Sequence, residues 1–143
     1  MRRTAMTLAA AVAVSALTST APVAGATPPS GVTGTIISKT TANGKDYILR
    51  EITIAPGGST GWHHHLGTLY GVVRGGTLTH NRSDCSLDGI YETGDPIVEQ
   101  PGTDNVHVGR NLGPTPIVLD VLYVLPEGAP LSVDDPNPGC DYQ

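Results

Sequence analysis

Residues 56–76 read PGGSTGWHHHLGTLYGVVRGG, which places three consecutive histidines between two glycine-rich turns. Side chains alternate between the two faces of an extended chain. His63 and His65 are therefore expected to point to one side of a strand and His64 to the other. Two imidazoles on one face can hold the same metal ion, so this stretch predicts part of a metal site, whose third ligand has to come from elsewhere in the chain.

The segments on either side of this stretch have the pattern of short β-strands separated by turns. Apolar or β-rich runs cover residues 33–38, 47–54, 68–73, 77–80, 90–92, 96–99, 106–110 and 116–125. The 18 glycines and 12 prolines are many for a helical protein and usual for strands joined by turns. About eight strands with regular turn punctuation indicate an all-β sandwich or barrel, with residues 116–125 as a central strand.

The composition excludes several classes of function. The chain carries 8 Lys+Arg against 13 Asp+Glu, a net charge of -5, and it has no basic stripe to neutralise nucleic-acid phosphates. A nucleic-acid partner is therefore not expected. Neither a nucleophile-elbow pattern nor a glycine-rich phosphate loop occurs, so serine catalysis and nucleotide binding are also disfavoured.

Residues 1–26 have the pattern of a secretory signal peptide. Arg2 and Arg3 precede an apolar stretch, and the small residues Ala24 and Ala26 form a small-x-small motif with cleavage expected after Ala26. The apolar stretch is too short for the roughly 20 residues that a spanning helix needs. The sequence therefore predicts a secreted, extracellular protein without membrane association once this segment has been removed.

The chain has two cysteines, Cys85 and Cys140. In an exported protein an even number of cysteines indicates a disulfide, which here would tie a polar loop to the C-terminal tail. Two free thiols are the alternative. Metal ligation by cysteine is disfavoured because neither residue lies near the histidine cluster in the sequence.

His107 is the candidate for the third metal ligand. It lies in the sequence NVHVGRN, residues 105–111, after a Pro-Gly turn. A His-x-His strand followed by a later lone histidine is a common way to build a metal site with open coordination positions. A solvated histidine run remains the alternative. His80 is expected at the surface, and His64 is expected to face solvent or to support the site rather than to bind the ion.

Two motifs in this order resemble the cupin family. Its first motif is G, five residues, H-x-H, three or four residues, E, six residues, G, and here Gly57 precedes His63 and His65 at that spacing and Gly76 closes the motif. In the second motif, Gly94 leads to Pro101-Gly102, and His107 and Asn111 keep the H-x-x-x-N spacing. The resemblance covers most of the chain after residue 38, and it is closest to small exported actinobacterial cupins.

The chain departs from the family at the first-motif glutamate, which falls on Leu69, or on Tyr70 if the gap is four residues. The resemblance therefore implies a site of three neutral imidazoles for Fe(II), Mn(II), Ni(II) or Zn(II), as in some thiol dioxygenases of the superfamily. Glu99 is the candidate fourth ligand, because alternation from Ile97 turns it inward. Tyr70 is a further alternative, as a phenolate ligand. The second motif also has a longer loop before His107.

The resemblance implies a jelly-roll β-barrel over residues 38–126. Residues 27–37 would form a linker and first strand, and residues 127–143 a tail tied by the disulfide. The implied function is a small-molecule enzyme of the metal-dependent oxygenase, isomerase or lyase type. A non-catalytic module that binds a metal or small ligand is the alternative, and a barrel with vestigial histidines is a third reading. The family also implies homodimerisation.

Overall fold

The computed structural model describes residues 25–143, which form an almost entirely β structure. The strands are β1 (Ser30–Ala42), β2 (Lys45–Ser59), β3 (His63–His64), β4 (Thr68–Gly75), β5 (Thr77–Arg82), β6 (Leu87–Glu92), β7 (Pro96–Glu99), β8 (His107–Arg110), β9 (Ile117–Pro126) and β10 (Val133–Asp134). One turn of 3-10 helix, Thr103–Asn105, precedes β8. The predicted signal peptide, except for its last two residues, lies outside the described part.

The strands pair in an antiparallel sheet that curls into a nearly closed barrel. Its order is β10-β3-β8-β2-β9-β4-β7, with β1 on β2 and with β5 joining β8 to β6. The predicted all-β cupin-type barrel is therefore confirmed. Within residues 25–143, no helix is long and apolar enough to cross a membrane. The predicted domain boundaries at residues 26, 37 and 126 stay predictions.

The barrel core is built on the long pairing of β2 with β9, in which Lys45 lies opposite Pro126 and Ile54 opposite Ile117. Along β9 every second residue is buried, which gives the inward face that a half-buried strand requires. The inward residues of β9 pack against those of β2 and β4. Together these three strands contribute Ile48, Ile52, Ile54, Leu69, Val73, Ile117, Leu119, Val121, Tyr123 and Leu125 to the core. Since β9 pairs with both β2 and β4, the expected central strand is confirmed.

The C-terminal tail crosses the outside of the strand that carries the histidines. Cys140 and Cys85 form the predicted disulfide, with their Cα atoms 5.6 Å apart. The ring of Tyr142 stacks on buried Trp62 at a centroid distance of 6.0 Å, and the Arg110 guanidinium lies 3.7 Å from the centre of the Tyr142 ring. The tail is thus fixed to the loop before β6 and to the back of β3.

Candidate metal centre

The structure brings His63, His65 and His107 together on the inner side of the barrel. His63 on β3 lies directly opposite His107 on β8 in the antiparallel register, and alternation puts His65 on the same side as His63. Their ring centroids are 4.4 to 5.3 Å apart. All three side chains are buried, and one ring nitrogen from each lies within 4.8 Å of the other two.

Each of these rings is oriented by a backbone carbonyl. The Nδ1 atoms lie 2.9 Å from the Gly61 oxygen for His63, 2.7 Å from the Leu131 oxygen for His65 and 2.7 Å from the Asn105 oxygen for His107. A carbonyl oxygen only accepts hydrogen bonds, so Nδ1 carries the proton and a neutral ring keeps its lone pair on Nε2. Among the described residues, the buried Nε2 atoms of His65 and His107 have no hydrogen-bond partner.

The turn before β3 depends on a glycine. Gly61 has a φ of +68°, and a Cβ there would lie 2.0 Å from the Thr27 carbonyl oxygen. Only glycine combines this backbone conformation with so close an approach. The turn places Trp62 on the outer side, fully buried, and His63 on the inner side, with the Gly61 carbonyl positioned to hold the His63 ring.

Glu99 is the last residue of β7 and lies directly opposite Leu69 of β4. Its Oε2 is 3.1 Å from Nε2 of His65 and 3.5 Å from Nε2 of His107. Glu99 therefore faces inward, as the alternation from Ile97 predicts, and it places a carboxylate beside the position where the family has its own. Tyr70 is 51% exposed on the outer face, so the phenolate alternative is wrong.

Two side chains of the cluster have shifted pKa values, and the shifts keep His63 neutral and Glu99 charged. Burial, together with the neighbouring charges of His107 and His65, lowers the pKa of His63 to about 3. Burial alone would raise the pKa of Glu99, but the charge of His107 and contacts with the surrounding rings outweigh it and hold that pKa well below its usual range. The site thus combines the neutral ring of His63 with one negative charge on Glu99.

His80 corrects the expectation of a surface residue. It is buried, with only 5% of the residue exposed. Its Nδ1 lies 3.0 Å from Asp88 Oδ2 and its Nε2 lies 3.4 Å from Glu99 Oε1, so the ring sits between two carboxylates. With Glu99 and His107 it forms a second group of closely spaced donors. Alternation places His80 on the same face as Leu78, but that this face is buried is shown only by the structure.

His64 points away from the site, as alternation predicts, but it does not face solvent. It is buried and its Nδ1 lies 2.6 Å from Asp135 Oδ2. The Asp135 backbone N–H also donates to the Trp62 carbonyl at 2.8 Å. His64 therefore binds the C-terminal tail to β3 on the side opposite the candidate site.

The histidine cluster borders a cavity inside the barrel. An enclosed volume of about 50 Å³ has mostly apolar walls, which include Leu69, Leu78, Ile97 and Val121. A wider opening of about 380 Å³ is lined by His63 and His65, and another of about 340 Å³ is lined by His80, Glu99 and His107. A small molecule can therefore approach the cluster, and the walls on its inner side are mostly apolar.

Solved structures with the same architecture come from several bacteria. A double-stranded β-helix protein from Klebsiella pneumoniae is 22% identical, with a TM-score of 0.54 over 80% of this chain and 88% of that one. A cupin domain from Bordetella pertussis is 23% identical, with a TM-score of 0.53 over 66% and 94%. This chain has the cupin fold. The polyketide cyclase RemF from Streptomyces resistomycificus is 18% identical, with a TM-score of 0.61 over 78% of each chain. No protein-family model and no curated protein matches the sequence.

Within this cupin fold, the second motif's departure from the family pattern has a structural explanation. The longer segment between Gly102 and His107 contains the 3-10 turn Thr103–Asn105. That turn presents the Asn105 carbonyl to Nδ1 of His107. The motif's Asn111 is fully buried and donates to the carbonyls of Ile54 and Thr115 at 2.9 and 2.8 Å, which fixes the chain after β8.

Proposed function

We propose that this chain is a metal-binding cupin that acts on a small molecule, with His63, His65, His107 and Glu99 as its metal ligands. One observation carries the proposal. The Nε2 lone pairs of His65 and His107 face a carboxylate oxygen at 3.1 and 3.5 Å, and the backbone carbonyls already hold the Nδ1 protons. Acceptors this close repel one another unless a proton or a metal ion lies between them, and a single metal ion can satisfy all of them at once.

The donor set suits a first-row divalent metal. Imidazole nitrogens and one carboxylate are ligands that iron, manganese, nickel and zinc accept, so the proposal includes all four. A bound ion would act as a Lewis acid on a substrate oxygen or on water. Glu99 reduces the net charge of such a site to +1, whereas three imidazoles alone would leave +2. The backbone carbonyls behind the rings hold the ligands in their binding tautomer.

The proposed activity is a metal-dependent oxygenase, isomerase or lyase type of reaction on a small substrate. The cavities beside the cluster support this, since apolar residues line the inner one and the opening of about 380 Å³ is large enough for a small ligand. RemF, which shares the fold, is a polyketide cyclase, and its chemistry supports the proposal of catalysis on a small molecule.

We also propose that the protein acts outside the cell. The Cys85–Cys140 disulfide supports this proposal, because such bonds persist in oxidising compartments. Residues 1–26 would serve as the export signal and be absent from the working protein.

Metal analysis of the purified protein tests the ligand assignment. We expect about one metal equivalent per wild-type chain by elemental mass spectrometry. The two groups of candidate ligands share His107, and its Nε2 can bind only one ion. His63→Ala and His107→Ala should each lose it while keeping the β-rich circular dichroism spectrum. His64→Gln is the matched control and should keep the metal, since His64 faces the tail. Full occupancy in His63→Ala would refute the assignment.

A metal-binding module without turnover is the second candidate. The innermost cavity favours it, because about 50 Å³ beside the rings is too small for a whole ligand, which would have to bind in the outer opening of about 380 Å³ instead. Fully metallated protein that converts no compound in an aerobic and anaerobic screen of small organic acids would support this candidate. Turnover that disappears in His107→Ala would exclude it.

A further inference from the structure

Arg50 occupies an inward position of β2. Along this strand the buried residues alternate, and Ile48 and Ile52 on either side of Arg50 both belong to the barrel core. Arg50 therefore directs its side chain to the inner face, opposite Val121 of β9. The inward positions before and after it on β2 carry isoleucine, so a charged side chain at this position is unexpected and needs a structural explanation.

A glycine on the neighbouring strand makes room for this side chain. A Cβ added to Gly34 of β1 would lie 2.2 to 2.4 Å from three atoms of the Arg50 guanidinium group. The guanidinium thus lies directly against the backbone of Gly34, and any side chain there would displace it. Glycine within a strand often marks such a close approach.

The Arg50 guanidinium has no carboxylate within ion-pair distance among residues 25–143, whereas exposed Arg74 pairs with Asp120 at 3.6 Å. Its neighbour in the cavity is the Tyr123 phenol; burial raises the pKa of this phenol, and Arg50 opposes that shift. A partly buried positive charge is costly unless an anion pairs with it. Residues 25–143 do not supply that anion.

The same cavity contains the candidate metal centre. The opening of about 380 Å³ is lined by Arg50, Thr60, His63, His65, Tyr123 and Ser132, together with a few apolar residues. A molecule that binds the guanidinium is therefore in the same space as the ring nitrogens of His63 and His65. The hydroxyl groups of Tyr123 and Ser132 can donate further hydrogen bonds to its oxygens.

We propose that Arg50 binds the carboxylate group of a small organic acid, which presents a second oxygen to the metal centre. This inference rests on the proposed function. The planar guanidinium offers paired N–H donors that match the two oxygens of a carboxylate, and such charge-assisted pairs are stronger than neutral hydrogen bonds. The substrate class is accordingly a short carboxylic acid with a second oxygen donor, rather than a neutral sugar or a hydrocarbon.

Calorimetric titration of the Zn(II)-loaded protein tests this proposal, with malonate and its uncharged analogue malonamide as probes. Malonate should bind, and malonamide should bind at least roughly tenfold more weakly. Arg50→Gln should weaken malonate binding by roughly ten- to hundredfold. Gly34→Ala keeps the charge but displaces the guanidinium, so it should also weaken binding. Arg74→Gln, at an exposed arginine, is the matched control and should bind malonate like the wild type.

The outcomes separate this inference from the function on which it rests. Zinc content is measured for each variant, and Arg50→Gln should retain the wild-type amount. Wild-type malonate affinity in Arg50→Gln, or equal binding of malonamide, would overturn the role of Arg50 and leave the metal proposal intact. Tighter Arg50-dependent binding of inorganic phosphate than of malonate would overturn the substrate class. A wild type that retains no zinc would instead contradict the metal proposal, and malonate titration of that metal-free protein would still test Arg50.

Discussion

The carboxylate of Glu99 reaches the histidine cluster from a different strand than the family pattern implies. Leu69 and Glu99 lie opposite each other on β4 and β7, and both face inward. Directly opposed residues have Cβ atoms about 5 Å apart, a distance that a glutamate side chain spans. A carboxylate on either strand can thus reach the proposed metal centre, and the leucine at position 69 joins the core.

This geometry predicts that a glutamate at position 69 can replace the carboxylate of Glu99. Glu99→Gln should weaken metal binding at least roughly tenfold, because it removes the site's only anionic ligand. The double variant Leu69→Glu/Glu99→Leu should recover most of the lost affinity, since the carboxylate returns to the same face one strand away. Competition with a fluorescent chelator measures both affinities. Glu51→Gln, on the exposed face of β2, is the control. No recovery in the double variant would contradict the equivalence of the two positions.

Individual site residues were predictable from the sequence only where a local pattern exposed them. Alternation and motif spacing select His63, His65 and His107, and alternation from Ile97 turns Glu99 inward. The same rule applies to Leu78 and His80, but β5 is short and polar, so nothing in the sequence shows that its inner face is buried. Arg50 was missed because its significance depends on Gly34 and the cavity, which are tertiary features.

At the scale of elements, the hairpin of β1 and β2 is joined to the turn after β9 through one buried carboxylate. Asp46 accepts hydrogen bonds from the Thr41 hydroxyl and from the Gly128 backbone N–H at 3.0 Å, and Lys39 Nζ lies 2.9 Å from its Oδ2. These interactions lower the pKa of Asp46 to about 2, with the Thr41 hydrogen bond as the largest cause. The ionised form is therefore favoured by folding.

Acid should remove this contribution selectively. A lowered folded-state pKa adds stability that is fully present above the unfolded value of 3.8 and disappears as the pH falls to about 2. Asp46→Asn should be less stable than the wild type at pH 6, and the difference should shrink between pH 4 and pH 2. Urea denaturation across this range measures it. Asp141→Asn, in the tail, is the control for general charge effects. A pH-independent difference would show that the loss comes from packing.

Strand positions were more predictable than strand lengths. The apolar run at residues 116–125 corresponds to β9, and the turn glycines mark most strand ends. The first strand was expected over residues 33–38, yet β1 extends from Ser30 to Ala42. All residues of β1 except Val32 are exposed, so the hydrophobic pattern does not define where the strand begins and ends. Backbone pairing with β2 extends the strand instead, and this pairing is not visible in the sequence.

For the molecule as a whole, the Cys85–Cys140 bond closes a segment of 55 residues that includes β6 to β10. By loop-closure entropy, a crosslink of this span stabilises the fold by about 3–4 kcal/mol. Cys85→Ser/Cys140→Ser should therefore lose about that much free energy of unfolding in urea. Reduction of the wild type should produce the same loss, and reduction of the double variant should change nothing. Because the His64–Asp135 and Trp62–Tyr142 contacts also hold the tail, a loss below about 1 kcal/mol would mean that they already order it without the crosslink.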